Sequence, residues 1–209
     1  MSPVLDAADP TARRAAAAAA EQGRLIVVPT DTVYGIAARL DRPAALAAVF
    51  EAKARPPGMA LPVLVANLDQ ARALAFLDER AEALAGAFWP GGLTMVLART
   101  PSLTAVIGGD GTSVGIRVPD HPVLALLLAE TGPLATSSAN TSGRPTPDDI
   151  DEIHAMFGDA VAVYLGGGPA HAPAGAPSTV VRLTDRTPVL LREGVVPFRE
   201  ILRVVGPAR

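Results

Sequence analysis

Hydroxyl, amide and cationic side chains are concentrated in four short segments of the 209-residue sequence, each at the end of a predicted strand or helix. The segments are PTDTVYG (29–35), KARP (53–56), SVGIRVP (113–119) and TSSANTSG (136–143). A fifth polar segment, the pair Ser178-Thr179, follows the glycine run 166–168, and Arg192 lies further along the chain. Hydroxyls, amides and cations predominate in these segments, and carboxylates are scarce. Such a composition suits binding of an anionic substrate and stabilisation of negative charge, as phosphoryl or nucleotidyl transfer requires. It does not suit a hydrolase that works with a pair of carboxylates.

The lysine content singles out one of these positions. Of the 18 basic residues 17 are arginine, and Lys53 is the single lysine. Such a skew indicates a coding bias towards arginine wherever either residue would serve. We therefore expect Lys53 at a position that needs a compact, flexible ammonium group rather than a planar guanidinium. The alternative is chance retention of one surface lysine.

Several apparent motifs point to other chemistry and are weaker. Residues 111–115 match G-x-S-x-G, but that motif needs a strand before the serine and a helix after it, whereas here a strand follows Ser113. His121, His154 and His171 share no metal-ligand spacing, and we expect them to be solvated or capping residues. The sequence contains no Walker loop, so a nucleotide would have to be held by other means.

Composition narrows the class of protein. The net charge of −3 gives no global basic field for nucleic acid, and the absence of cysteine excludes disulfides, thiolate zinc sites and a cysteine nucleophile. No stretch approaches the roughly 18 apolar residues of a membrane span. The alanine run 15–20 is too short for a signal peptide and leads directly into charged residues. We expect one domain over residues 1–209, located in the cytoplasm.

Apolar strands alternate with helices along the chain. Strands are predicted at 25–28, 61–66, 93–98, 113–118, 134–136, 161–165, 179–183 and 189–191. Helices are predicted at 11–22, 41–53, 69–88 (as one or two helices), 122–131, 146–157 (capped by Thr146 or Asp148) and 197–205. This order predicts an α/β fold with a twisted, open mixed sheet covered by helices.

Seven motifs, in this order, resemble the YrdC-like family of L-threonylcarbamoyladenylate synthases. They are PTDTVYG, K-x-R at Lys53 and Arg55, FWPGGLT (88–94), SVGIRVP, S-A-N-x-S-G (138–143), PSTVV (177–181) and LLREG (190–194). Each motif is weak alone, but seven in the right order over residues 24–195 are specific. The chain is similar to the short members, which lack an additional C-terminal domain. One departure is Met59-Ala60, where the family often has a basic or amide residue before Pro-Leu.

The resemblance implies the first step in making N6-threonylcarbamoyladenosine (t6A) in transfer RNA. L-threonine, bicarbonate and ATP, with Mg²⁺ on the triphosphate, would give threonylcarbamoyl-AMP and pyrophosphate, making the protein a nucleotidyltransferase. It also implies a YrdC/RibB-like fold with a concave basic cavity, no metal ligands from the protein and no covalent enzyme intermediate. The product would pass to the tRNA threonylcarbamoyl transferase complex, and weak RNA binding is implied as well.

Site residues follow from the same resemblance. The catalytic polar set on the ATP phosphates would be Lys53, Arg55, Ser138 and Asn140. The nucleotide would also be contacted by Ser113, Thr146 and Arg192. Threonine and its carbamate would be held by Thr30, Thr32, Tyr34, Arg117, Thr136 and Ser178.

Two other functions stay open at this point. The first is a double-stranded RNA-binding module of the same fold, although the net charge of −3 weighs against it because phosphate binding scales with the cations engaged. The second is a YrdC-like paralogue with another nucleotide-dependent activity. The intact K-x-R and S-x-N motifs favour the synthase.

Overall fold

The computed structural model describes residues 2–56, 58–167 and 176–206. Its strands are β1 (Val4–Asp6), β2 (Leu25–Val28), β3 (Gly35–Arg39), β4 (Val63–Leu64), β5 (Leu93–Ala98), β6 (Ser113–Arg117), β7 (Leu134–Ser138), β8 (Val161–Gly166), β9 (Thr179–Arg182) and β10 (Val189–Arg192). Its helices are α1 (Pro10–Glu21), α2 (Pro43–Ala52), α3 (Leu68–Leu74), α4 (Glu79–Phe88), α5 (Pro122–Thr131), α6 (Ile150–Phe157) and α7 (Phe198–Val205), with a short 3-10 turn at Gly158–Ala160.

All the strands join one open sheet, in the order β1-β8-β2-β3-β7-β4-β6-β5-β9-β10. Pairing is parallel for β1/β8, β2/β8, β4/β6 and β5/β9 and antiparallel for the other neighbours. The predicted mixed α/β sheet is therefore confirmed. β4 and β7 are antiparallel neighbours at the centre of the sheet, so the first residue of β4 and the last residues of β7 lie at the same end of the sheet. Segments from the two halves of the chain therefore meet at that end.

Two strands were not predicted, and one predicted strand is shorter than expected. The sequence of β3, GIAAR, contains one β-branched residue, isoleucine, and no aromatic residue, so its local strand propensity is low. It forms because β2 and β7 pair with it on both sides. The three-residue β1 is too short to give a sequence pattern, and the strand predicted at 61–66 pairs only at Val63–Leu64.

Helices cover both faces of the sheet. On β2, Val27 packs into one cluster of buried apolar residues, whereas Ile26 and Val28 pack into another. Successive strand residues point to opposite faces, so the sheet has a core on each side. The alanine-rich α1 lies close against the second core, with Asp9 accepting a hydrogen bond from the Thr11 N–H at its start. None of the helices in the described ranges is long and apolar enough to cross a bilayer.

Candidate active site

A cavity of about 110 Å³ opens at one end of the central strands. We call it the small cavity. Its polar lining comes from seven separate parts of the chain: Thr30, Thr32, Tyr34, Arg55, Thr94, Arg117, Thr136, Ser137, Ser138, Ser178 and Arg192. Nine of the predicted site residues are among them. The register that pairs Gly35 with Ser138 brings the loop after β2 against the end of β7.

The loop between β2 and β3 is fixed by its own threonines. Thr30 Oγ1 donates to the Val33 carbonyl at 2.7 Å and accepts from the Thr32 N–H at 3.0 Å. Both side chains are buried, at 3% and 1% exposure for Thr30 and Thr32. The Tyr34 carbonyl accepts from the Ala139 N–H at 2.8 Å, which ties this loop to the segment after β7. These hydroxyls therefore have set directions before any substrate arrives.

Gly35, the first residue of β3, explains why the hairpin formed by β2 and β3 approaches β7 so closely. A Cβ at this position would lie 2.6 Å from Thr136 Cγ2, well inside van der Waals contact. Glycine thus allows the backbone to pack against Thr136, whose Oγ1 donates to the Leu134 carbonyl at 3.1 Å. Burial raises the pKa of the adjacent Tyr34 above its usual value.

Arg117, at the end of β6, is 5% exposed and holds two loops together. Its Nε donates to the Gly91 carbonyl at 2.9 Å, Nη1 to Thr32 Oγ1 at 2.8 Å and Nη2 to Asp31 Oδ1 at 2.5 Å. Burial lowers the pKa of Arg117, and the Asp31 carboxylate acts in the opposite direction. A guanidinium stays protonated under such conditions, so Arg117 places a fixed cation in the cavity wall.

Lys53 caps the end of α2 and is 2% exposed, which rules out the alternative of a retained surface lysine. Its Nζ donates to the Ser138 carbonyl, to the Asn140 carbonyl at 2.5 Å and to Asn140 Oδ1 at 3.1 Å. Asn140 Oδ1 also accepts from Ser138 Oγ at 2.5 Å and from Thr146 Oγ1 at 3.4 Å. Burial, followed by the charge of Arg55, lowers the pKa of Lys53 to about 8. These four predicted residues form one cluster beside the small cavity.

Main-chain carbonyls orient Arg55. Its Nε donates to the Met59 carbonyl at 3.0 Å and its Nη2 to the Ala60 carbonyl at 2.9 Å. The Met59-Ala60 pair, which departs from the family pattern in side chain, thus contributes through its backbone. Burial and then the charges of Arg117 and Arg55 lower the pKa of Arg192, so both neighbouring guanidinium groups act on Arg192.

A second cavity of about 530 Å³ adjoins the first, and we call it the large cavity. The two share Arg55, Pro62, Thr94 and Arg192. Its other walls carry the apolar side chains of Met59, Val96, Val114, Val180 and Leu191, and the polar residues there are Asp110, Ser113 and Arg182. Ser113, predicted to contact the nucleotide, therefore lies in the large cavity and not in the small one.

The motifs judged weak have ordinary structural roles. Ser113 begins β6 and its hydroxyl lies 3.3 Å from Asp110 Oδ1. His121 caps α5 through Nδ1, and His154 Nε2 lies 3.1 Å from the Ser2 carbonyl oxygen. His171 and Gly168 lie outside the described residues. Within the described ranges, no group of three or more His, Cys, Asp or Glu residues is arranged to hold a metal ion.

Sequence reasoning missed three polar residues of the small cavity or its wall. Asp31 pairs with Arg117, Thr94 hydrogen-bonds to Ser178, and Ser137 lies 3.5 Å from Arg55 Nη1. All three stand inside the polar or motif segments, which was the available signal.

The mixed sheet and the helices on both of its faces define an α/β fold. Comparison with known proteins identifies the family. The chain belongs to the Sua5/YciO/YrdC family, whose model, described as "Telomere recombination", matches residues 18–194. The resemblance to the YrdC-like family is thereby confirmed.

Individual relatives agree with this assignment. A putative threonylcarbamoyl-AMP synthase of Mycobacterium tuberculosis is 43% identical over 99% of this chain and 96% of that protein. A structure of Pyrococcus abyssi Sua5 complexed with L-threonine has a TM-score of 0.87 and 38% identity, covering 94% of this chain but 58% of that one. Escherichia coli YciO has a TM-score of 0.88 and 27% identity, covering 97% of this chain and all of that one.

Proposed function

We propose that this protein is a threonylcarbamoyl-AMP synthase, a nucleotidyltransferase that acts in the cytoplasm as a single domain. Threonine and bicarbonate would form a carbamate with loss of water, and the carbamate would react with ATP to give threonylcarbamoyl-AMP and pyrophosphate. The observation that carries the proposal is the junction of two cavities of different size through Arg55, Thr94 and Arg192. The names of the mycobacterial and archaeal relatives support it.

Threonine would occupy the small cavity. Its volume of about 110 Å³ suits a small amino acid, and its walls carry directed hydroxyls beside the fixed cation of Arg117. A pocket that only contacts apolar groups discriminates isosteres by about a hundredfold, so rejection of valine requires a hydrogen bond to the substrate hydroxyl. The residues proposed for threonine and its carbamate are Thr30, Thr32, Tyr34, Arg117, Thr136 and Ser178.

ATP would occupy the large cavity, with its phosphates at the junction. Apolar walls suit a purine, and Arg55 and Arg192 would meet the phosphate charge. Ser113 lies on this side, and the cluster formed by Lys53, Ser138, Asn140 and Thr146 meets the small cavity through Ser138. Apart from the single carboxylate of Asp110, the polar groups on this side are cations, hydroxyls and amides, so Mg²⁺ would enter bound mainly by the triphosphate, as part of the substrate.

The proposed step needs no covalent enzyme intermediate. A carbamate oxygen attacks the α-phosphorus and forms the new P–O bond, while the bond from the α-phosphorus to the bridging oxygen breaks and pyrophosphate leaves. Charge is spread over the phosphate oxygens in the transition state, so fixed cations and donors accelerate the reaction by electrostatic stabilisation and positioning. The guanidinium groups of Arg55, Arg117 and Arg192, which all line the small cavity, would supply the positive charge that this step requires.

Pyrophosphate release tests the proposal. The purified protein with ATP, threonine and bicarbonate should release pyrophosphate and form a product with the mass of threonylcarbamoyl-AMP, and omission of any one substrate should stop both. Equal release without threonine would show that the proposed substrate is wrong. Steeply salt-dependent binding of double-stranded RNA with no turnover would favour the binding module instead. A positive result makes the tRNA threonylcarbamoyl transferase complex the expected recipient of the product.

A further inference from the structure

The junction between the two cavities contains a buried pair of hydroxyls. Thr94, on β5, is 3% exposed, and its Oγ1 lies 2.9 Å from the Oγ of Ser178, which is 6% exposed and precedes β9. Thr94 lines both cavities, whereas Ser178 lines the small one. The parallel pairing of β5 with β9, which sets Leu93 beside Thr179, places these hydroxyls side by side.

Arg192 fixes one member of the pair from the other side. Its Nη2 donates to Ser178 Oγ at 3.0 Å and to the Ser178 carbonyl at 2.9 Å, and its Nε donates to the same carbonyl at 3.1 Å. A guanidinium has no acceptor, so Ser178 Oγ must accept in the contact with Arg192. The serine hydroxyl is therefore held close to a positive charge.

Counting hydrogens shows what the pair can still do. Each hydroxyl carries one hydrogen, and the bond between Thr94 and Ser178 uses one of the two. Whichever residue donates in that bond, the hydrogen of the other remains. Across the described residues, neither hydroxyl makes a side-chain hydrogen bond beyond those to each other and to Arg192. A buried donor of this kind gains most by meeting an oxygen of a ligand.

We propose that Thr94 is a positioning residue for the carbamate, acting with Ser178 as one donor unit at the cavity junction. This inference rests on the proposed function. The carbamate links the threonine nitrogen to the α-phosphorus, so it must lie where the two cavities meet. The remaining hydroxyl hydrogen would be donated to a bicarbonate-derived oxygen, and Arg192, oriented by Ser178, would balance its charge.

Substitution of Thr94 separates this role from simple packing. Thr94→Val keeps the shape and removes the hydroxyl, and we expect it to raise the KM for bicarbonate about tenfold, the effect of one hydrogen bond. The KM values for ATP and threonine should change by less than about twofold. Thr94→Ser, which restores a hydroxyl, should return the bicarbonate KM to near the wild-type value.

A matched control is Thr131→Val. Thr131 is also buried, but its hydroxyl donates within α5 to the Leu127 carbonyl, and it lines neither cavity. Its kinetic constants should equal those of the wild type. Ser178→Ala provides a second route if Thr94→Val does not fold, because it should raise the same KM. If both single variants fold, the double variant should be no worse than the poorer of them, since the pair acts as a unit.

The outcomes are distinguishable. Wild-type protein that releases no pyrophosphate would overturn the proposed function. An active wild type with an unchanged bicarbonate KM in Thr94→Val would overturn the role of Thr94 alone. A rise confined to the KM for ATP would also overturn it, because the donor would then face the phosphate. Equal losses in Thr94→Val and Thr94→Ser would indicate packing rather than hydrogen bonding.

Discussion

The small and large cavities differ in how firmly the protein holds their walls. In the small cavity, Thr32 and Arg117 are 1% and 5% exposed, and both are hydrogen-bonded to other residues of the site. In the large cavity, Met59 and Leu191 are each 50% exposed and present apolar surface to solvent. One region is therefore organised before its ligand binds, whereas the other is an open apolar wall.

This difference indicates where selectivity and where plain affinity arise. Preorganised donors discriminate between substrates because a mismatched ligand leaves buried groups unpaired. An exposed apolar wall contributes contact area and little discrimination. Changes to buried polar residues beside the small cavity should therefore have large effects, and changes at the rim of the large cavity should have small ones.

Lys53→Ala should have the largest effect. It removes the donor from the carbonyls of Ser138 and Asn140. The Ser138 carbonyl still accepts from the Asn140 N–H, but the buried Asn140 carbonyl loses the Lys53 donor, and a buried acceptor without a partner costs about 1–3 kcal/mol. We expect pyrophosphate release to fall by more than about a hundredfold and the free energy of unfolding to fall by about 1–3 kcal/mol. Arg199→Ala, at an exposed position, is the control for urea unfolding and activity. Wild-type stability in Lys53→Ala would contradict a stabilising role for the hydrogen bonds from Lys53 to Ser138 and Asn140.

Arg117→Lys tests the small cavity with its charge retained. A lysine cannot reproduce the fork that reaches the buried Thr32 and the half-buried Gly91 and Asp31, so these partners cannot all keep their donor. We expect a rise of about a hundredfold in the KM for threonine, which corresponds to about 3 kcal/mol. Arg182→Lys makes the same exchange in the large cavity, where Arg182 has a 42% exposed side chain paired with Asp185, and should change little. Similar losses in both variants would remove the distinction between the cavities.

The sheet and the site segments could be predicted from sequence because they depend on local patterns and on motif order. β3 could not, because its pairing with β2 and β7 outweighs the weak propensity of GIAAR. The Thr94–Ser178 and Asp31–Arg117 contacts join residues 84 and 86 positions apart, and no local pattern encodes them. The contribution of Met59 and Ala60 could not be predicted for a different reason. It comes from main-chain carbonyls, which every type of residue has.

The pH profile should separate activity from stability through Lys53. Burial lowers its pKa from 10.5 to about 8, so the positive charge that would stabilise the phosphates is lost as pH rises through about 8. We expect kcat/KM for ATP to fall by up to about tenfold per pH unit above that point. The unfolded chain still holds this proton up to about pH 10.5, so the Lys53 contribution to stability rises between about pH 8 and 10.5.

The sign of the two trends is the test, because they run in opposite directions. Pyrophosphate release and urea unfolding measured on the same samples from pH 7 to 10.5 would follow both. Lys53→Met, which has no titrating group, should lose the Lys53 part of the rise in stability. A wild-type kcat/KM that stays level to pH 10 would show that the protonated lysine is not needed for the reaction.

Leu191→Ser should have the smallest effect and tests the large cavity alone. Loss of roughly 30 Å² of apolar contact with a purine costs about 0.8 kcal/mol, so the KM for ATP should rise about three- to fivefold. The KM for threonine should not change, because Leu191 lines the large cavity and not the small one. Leu126→Ser is the matched control, since Leu126 is 54% exposed on α5 and lines neither cavity. If Leu191→Ser raised the threonine KM as much as the ATP KM, the two cavities would have to be treated as one site, because a change at the open apolar rim would then have altered the firmly held pocket.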